Sequence, residues 1–412
     1  MAMRVTVFLG AGAVIEVGGP TTPALTDAVK QRRQWNGNPK SQETVPAIQE
    51  IADALDGYFG RAGPANFEDI FAAIESLISL QTGSREGTAK EFKPAIGAFI
   101  QRNEIAKHSD IVLSQAGDNL VDAVASEVTA YVKGFAPAGS HFWFADFWRK
   151  LAAACQCDIG LLNYDNCIEQ SLATDDIEDG FVSLGGGIYR FNPDRIISTS
   201  STRVLHLHGS VFFGYPPTPK VPEKQEYADD HEDLYRFDNA DAAQRQWFGR
   251  SRNHAQSGDR ATAGPIITGQ RKPDKLLAYP YSTYQAVLHN AIIKNSRLLI
   301  AGYGFGDLHF NHLLSQMARV HGADRRVVLI DFVPHQYRGD NWLPHAGCME
   351  WPGFRASQCI LRLTQPDNLF RSGPGHYANP WVSNNNCCRI YLEGFQDAVQ
   401  NHGDEIIDFL TR

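Results

Sequence analysis

The sequence has no Lys- or Arg-rich run, and its net charge is a mild −8 over 412 residues. Holding nucleic acid through its phosphates needs a concentrated basic face. Direct nucleic-acid binding is therefore not expected. Nothing approaches the roughly 20 consecutive apolar residues of a membrane span. Met1-Ala2-Met3-Arg4 runs into the apolar segment Val5–Leu9, too short for the apolar region of a secretion signal. No membrane association is expected, and the chain reads as soluble and cytoplasmic. The seven cysteines, Cys155, Cys157, Cys167, Cys348, Cys359, Cys387 and Cys388, include no Cys-x-x-Cys pair. That spacing marks structural zinc sites, so no metal is expected, and reduced buried thiols are. Internal repeats and low-complexity tracts are absent as well.

What is present suffices for a sizeable core: 43% of the residues are hydrophobic and 20% charged. The length admits two or three domain-sized units, or one large α/β domain with insertions. Val5–Leu9 is a continuous β-prone run, as in a buried parallel strand, and Gly10-Ala11-Gly12-Ala13 ends it. Gly18-Gly19-Pro20 makes a turn, and Pro23–Thr26 starts a helix. Further strands are predicted at Ile159–Leu162, Val204–Leu207, Arg297–Ala301 and Val327–Ile330, with another at Gln358–Leu363. Residues 44–155 read as almost wholly helical. Asn66 suits an N-cap, with Glu68 and Asp69 at the positive helix end. Val112–Val132 is amphipathic, and the aromatic stretch His141–Ala154 suits core or a subunit interface. Helices are also predicted at Tyr284–Lys294, Leu308–Val320 and Tyr391–Leu410. Short apolar runs alternating with helical patterns predict an α/β fold. Its sheet should be doubly wound, parallel and Rossmann-like, with a helical insertion or cap.

In such sheets, ligands bind beyond the carboxyl ends of the strands. The distinctive residues fall there, and each has two readings. Gly10-Ala11-Gly12 suits either backbone approach to a pyrophosphate or a bare tight turn; the full G-x-G-x-x-G spacing is missing. Asn163 and Asp165, two apart, either face one ligand or cap the helix that follows. His208 is either a general base near neutral pH or one structural histidine among 14, a role that His206 also suits. Gly302-Tyr303-Gly304-Phe305-Gly306-Asp307 is a second glycine loop, or a plain turn. Asp331 either accepts ribose hydroxyls or caps a helix.

Taken together, Gly10-Ala11-Gly12-Ala13 with Gly18-Gly19-Pro20, Leu162-Asn163-Tyr164-Asp165, Leu207-His208-Gly209-Ser210 and Gly302-Tyr303-Gly304 resemble the sirtuin superfamily over roughly residues 4–335. The resemblance implies NAD⁺ as substrate. The loops Gly10, Ala11, Gly12 and Gly302, Tyr303, Gly304 would line the cofactor-binding cleft, with Asp331 at the adenosine ribose. Asn163 would position ribose or water, Asp165 would hold the nicotinamide end, and His208 would be the base. Protein-deacylating sirtuins carry a four-cysteine zinc module after the His-Gly motif, whereas Gly209–Gly302 holds no cysteine. Leu162 stands where those enzymes have Gln, and Pro20-Thr21-Thr22-Pro23 replaces an arginine-bearing loop.

The pattern is similar to divergent bacterial sirtuin-like NADases of anti-phage defence. It is most like the stand-alone subunit that partners a HerA-type ATPase. That resemblance implies NAD⁺ glycohydrolysis and a homo-oligomer controlled through assembly. It implies a catalytic domain over 1–335, carrying a helical insertion at about 44–155 and a polar one at about 214–275. Residues 336–412 would be a C-terminal extension packing on it. Deacylation, ADP-ribosyl transfer and a non-catalytic NAD-binding scaffold are the alternatives.

Overall fold

A computed structural model of the chain describes residues 3–32, 41–60, 63–82, 108–172, 176–215, 234–243, 264–269, 272–276, 278–333, 359–360, 362–363, 370–371 and 380–412. The apolar runs form β1 (Arg4–Leu9), β2 (Gln156–Leu161), β3 (Ile177–Glu178), β4 (Phe181–Gly185), β5 (Ile188–Phe191), β6 (Thr202–His206), β7 (Phe213–Gly214) and β8 (Tyr235–Phe237). They continue with β9 (Arg297–Ala301), β10 (Arg326–Ile330), β11 (Phe370–Arg371), β12 (Trp381–Ser383) and β13 (Cys388–Tyr391). Nine of these make one sheet in the order β11-β12-β13-β10-β9-β1-β2-β6-β3. From β13 to β3 the pairings are parallel, and β12 and β11 add an antiparallel edge. This is the doubly wound α/β sheet that the alternating pattern predicts.

The central strands are buried on both faces, which is why they read as unbroken apolar runs. Val5, Val7 and Leu9 of β1 face one layer, and Phe8 faces the other. Helices α1 (Thr22–Gln31), α2 (Ser41–Phe59), α3 (Phe67–Thr82) and α4 (Asp110–Gly134) share the Phe8 layer. Over its described residues, the block predicted at 44–155 is helical apart from short connections. Asn66 starts α3 by a reciprocal cap. Its Oδ1 accepts the Glu68 and Asp69 amides at 2.8 and 3.1 Å, and its own amide donates to Asp69 Oδ2 at 3.0 Å. Helix α5 (Phe142–Ala154) covers the opposite face, where Phe144, Phe147 and Trp148 pack around Phe395. Phe144, Phe147 and Trp148 of its aromatic run are core, and Phe142 is exposed.

The remaining helices are α6 (Cys167–Ser171), α7 (Pro193–Ser198), α8 (Lys272–Lys275), α9 (Tyr281–Lys294), α10 (Leu308–His321) and α11 (Phe395–Thr411). Three local expectations are corrected. Within Gln358–Leu363, the described residues Cys359, Ile360, Arg362 and Leu363 are helical, not extended. Cys359, Ile360 and Leu363 are buried while Arg362 is exposed, the spacing of one helix face. Tyr391 ends β13, and the last helix begins only at Phe395, after the positive-φ Gly394 breaks the run. The C-terminal segment, expected as an extension packing on the catalytic domain, instead continues its sheet: β13 lies parallel to β10, with Val327 opposite Cys388. Most of the polar stretch 214–275 lies outside the described residues. Its described part contributes β8 to a second, antiparallel sheet ordered β4-β5-β8-β7. The six described cysteines are buried free thiols.

Strand β1 sits between β9 and β2, so chain order reverses across it. There the two glycine loops touch backbone to backbone. The Gly10 amide donates to Ala301 O and the Gly12 amide to Gly302 O, both at 2.9 Å. Gly302 has φ +58, and a Cβ on it would lie 2.0 Å from the Ala13 nitrogen. Gly302→Ala is expected to destabilise the chain by more than ~2 kcal/mol, read as a lowered thermal midpoint. A Cβ on Gly304 would meet nothing within 4 Å, so Gly304→Ala should stay within about 0.5 kcal/mol of the parent. Equal midpoints for the two variants would contradict this account of the crossing.

Candidate functional site

The register places the sequence-predicted residues along one edge of the sheet. Asp331 follows β10, Gly302 follows β9, Gly10 follows β1, Asn163 lies just past β2, and His208 lies just past β6. The Leu162 amide donates to Leu9 O at 2.9 Å and the Leu207 amide to Leu161 O at 2.8 Å. The Val211 amide donates to Tyr164 O at 2.8 Å, and Ser210 Oγ donates to the same carbonyl at 3.2 Å. The Gly10, Asn163 and His208 turns are thus stitched side by side. At the usual inter-strand spacing the row from Asp331 to His208 spans roughly 19 Å, room for a ligand with two distinct ends.

Asn163 is buried, and neither Oδ1 nor Nδ2 has a hydrogen-bond partner. A buried amide left wholly unpaired is costly and rare in folded proteins. It stands ready to pair with something that enters the cleft. Asp165 is placed differently. The segment after Leu161 bends instead of staying extended. Asp165 Oδ1 accepts the Cys167 amide at 3.0 Å, at the start of α6. Burial holds the Asp165 carboxyl above its ordinary range, while hydrogen bonding from Tyr131 acts the other way. Asp165 is therefore engaged in the helix start, whereas the Asn163 amide is left without a partner. His206 is engaged too, its Nε2 lying 2.6 Å from Glu169 Oε1.

His208 occupies a different environment. Its Nε2 is buried without a hydrogen-bond partner, 3.7 Å from Asp307 Oδ2. Asp307 Oδ1 lies 3.1 Å from Lys272 Nζ, which lies 3.1 Å from Glu68 Oε1. Burial pushes the His208 imidazole down to about 3 from its ordinary 6.5; the Lys272 cation adds to the fall and Asp307 opposes it. The side chain is neutral at physiological pH, the state a proton acceptor needs. The turn that presents it is tightly clamped. Gly209 has φ +89, and a Cβ there would lie 2.1 Å from Pro265 O. The Ile267 amide donates to His208 O at 2.8 Å, and the Ser210 amide donates to Pro265 O at 3.0 Å.

The other predicted binding residues are placed as follows. The Gly10 and Gly12 amides are taken by the carbonyls of Ala301, at the end of β9, and Gly302, and Ala11 between them is exposed. The Tyr303 side chain is core. Its ring meets Phe8 edge-on at 4.8 Å, and its hydroxyl donates to Asn311 Oδ1 at 2.9 Å. Gly302 is at the loop crossing, and Gly304 has open space beside it. Among the described residues the Asp331 carboxylate accepts the neighbouring Phe332 amide, at 2.8 Å, and burial raises its carboxyl to about 6. Among the described residues, no group of three His, Cys, Asp or Glu side chains is placed to hold a metal ion, and no helix is long and apolar enough to cross a membrane.

Residues 162–344 match the family of SIR2-like domains. The match begins at Leu162 and takes in Asn163, Asp165, His208, the second glycine loop and Asp331, but not β1 and its loop. No curated protein matches the chain. Over the matched residues the chain is similar to SIR2-like domains, a likeness that suggests an NAD-related function of that broad class.

Three charged members of the cluster escape a reading of the sequence. Glu68 reads as a helix-dipole acid, Asp307 as the tail of a glycine loop, and Lys272 as part of a polar connection. No motif spacing links positions 68, 272 and 307; only the fold brings them together. The burial of neutral His208 also has a stability consequence. A histidine whose folded-state value lies below its unfolded value contributes stability in full above about pH 6.5. That contribution is lost as pH falls toward about 3. Urea midpoints at pH 7.5 and pH 5 should fall further for the parent than for His208→Gln. A parallel fall in both would contradict the buried neutral imidazole.

Proposed function

We propose that this chain hydrolyses NAD⁺ at the nicotinamide–ribose bond, giving nicotinamide and ADP-ribose. The observation that carries the reading is the orphaned buried amide of Asn163 beside the buried, neutral imidazole of His208, at adjacent strand ends next to the glycine-loop crossing. An amide that both donates and accepts suits a ribose hydroxyl or an ordered water. A neutral imidazole suits removal of a proton. Asp331, at the far end of the row, suits the adenosine ribose. The SIR2-like match over residues 162–344 supports the same substrate.

The chemistry asks little beyond orientation and one base. The bond from the anomeric carbon to the pyridinium nitrogen breaks, and its electron pair returns to nicotinamide, a good leaving group. Water adds to the anomeric carbon and loses a proton to His208. Asn163 holds the ribose or the water in line, and the closed turn at Gly209 limits access by bulk solvent. Asp165 acts from behind, fixing the turn that carries Asn163. We propose further, on the family resemblance, that the chain works as a self-associating effector of anti-phage defence, with a HerA-type ATPase as partner. On that reading a cell is protected from its own NAD⁺ hydrolysis until assembly releases the activity.

Purified chain incubated with NAD⁺, alone and with a HerA-type ATPase, should release nicotinamide and ADP-ribose in equal amounts. His208→Ala should lower the rate by about 10²–10⁴-fold, and Asn163→Ala by on the order of 10²-fold. Label from NAD⁺ appearing on protein would point to ribosyl transfer instead. Absence of any cleavage under both conditions would overturn the proposal.

A further inference from the structure

Asp307 stands at the position from which an aspartate ordinarily caps the first amides of its own helix, here α10. It makes no such hydrogen bond. Its carboxylate turns instead between the cation of Lys272, at 3.1 Å, and the imidazole edge of His208, at 3.7 Å. Lys272 is itself held from the far side by Glu68 of α3, also at 3.1 Å. The Lys272 and Asp307 side chains are only 11% and 14% exposed, so this is not a solvated surface pair. Glu68, Lys272 and Asp307 together carry one uncompensated negative charge while His208 is neutral. A proton arriving on His208 would cancel it.

The geometry points to Asp307, steadied by Lys272 and Glu68, as the residue that positions His208. By standing at Nε2 it selects the imidazole tautomer protonated there and leaves Nδ1 as the basic nitrogen. This rests on reading His208 as the base. A carboxylate facing an unprotonated ring nitrogen would meet its lone pair. Facing an N–H it gains a charge-assisted hydrogen bond once the two draw together, as catalytic hydrogen bonds do on ligand binding. The logic is that of a carboxylate orienting a histidine for proton transfer. In the hydrolysis step one proton of the attacking water passes to Nδ1, and its oxygen bonds to the anomeric carbon. The nicotinamide nitrogen keeps the electron pair of the broken bond, and the imidazolium is held through Nε2–H by Asp307. Lys272 stays paired throughout, so its charge tempers the pull of Asp307 and keeps the base free of a proton beforehand. The other groups facing His208 are the His309 imidazole, whose proton affinity is also lowered by burial, and the Phe310 ring at 5.8 Å.

The test uses the full chain labelled with ¹⁵N-histidine, with the His208 signals assigned by their loss in His208→Gln. The parent is expected to show the tautomer protonated on Nε2. Asp307→Asn should mix the tautomers and move the titration of His208 to lower pH. Lys272→Met should move that titration upward, and with it the acid limb of the NAD⁺ cleavage profile. In Asp307→Asn, kcat should fall at least tenfold with KM little changed. A proton found on Nδ1 in the parent would overturn the inference, as would unmoved His208 signals in both variants. Should Asp307→Asn fail to fold, the parent tautomer and Lys272→Met still decide the matter. The spectra do not require turnover. A chain that cleaves no NAD⁺ but shows these shifts would refute the proposed reaction and leave the positioning role standing.

Discussion

The contact on which the site depends is the crossing of two backbones. Gly302 lies so close to Gly12 and Ala13 that no side chain fits between them, and the Gly12 amide bonds across the gap to Gly302 O. This joins the ends of β1 and β9 at the place where strand order reverses. Loops diverge at such a point and leave a crevice. The glycines act first on each other, and the crevice follows from that. It is a different role from cradling phosphate with every loop amide, because the Gly10 and Gly12 amides are already engaged.

From that crossing outward, the site is made of polar groups withheld from one another. Asn163 has an unpaired amide, although the Tyr164 carbonyl and Asp165 Oδ1 beside it both accept hydrogen bonds. His208 Nε2 is unpaired, while Nε2 of His206, two residues earlier on the same run, lies 2.6 Å from Glu169 Oε1, its Nδ1 being unpaired. The cost of the open groups is met by the surrounding scaffold: β1, β2 and β6 in register, the clamp of Pro265 and Ile267 over the His208 turn, and two layers of apolar core. Lys272 adds a tie between the helical block and the site, since it reaches Glu68 of α3 and Asp307 of α10 together.

The second buried pair on that face repeats the arrangement. Lys275 Nζ lies 2.7 Å from Glu75 Oε2 and donates to Thr268 O at 2.5 Å. Glu68 and Glu75 stand two helical turns apart on α3, and Lys272 and Lys275 stand one turn apart on α8. Two ion pairs therefore fix the angle at which the helical block meets the segment that clamps His208. Ion pairs this buried contribute little net stability, and their stronger effect is on geometry.

Much of the scaffold was legible in the residues. The strands at Val5–Leu9, Arg297–Ala301 and Val327–Ile330 are runs too apolar to sit anywhere but inside a parallel sheet, and Asn66 marks a helix start that it does cap. Chain order also placed Gly10, Asn163, His208, Gly302 and Asp331 at strand ends, because local hydrophobicity sets where a strand stops. Other features were not legible. The strand Cys388–Tyr391 is not marked in the sequence, where Tyr391 reads as the start of the last helix, since four residues carry too little periodicity to show a strand. Asp165 was paired with Asn163 on the assumption of an extended segment, but the chain bends there. Tyr303 looked like part of a binding loop and is core. The Glu68–Lys272–Asp307 chain joins three segments far apart in sequence. The sequence by itself determined the fold class and which residues end the strands, because those follow from short-range hydrophobic pattern and turn chemistry. Only the tertiary structure decided which of those polar groups find partners and which stay open, because burial and pairing depend on elements far apart in the chain.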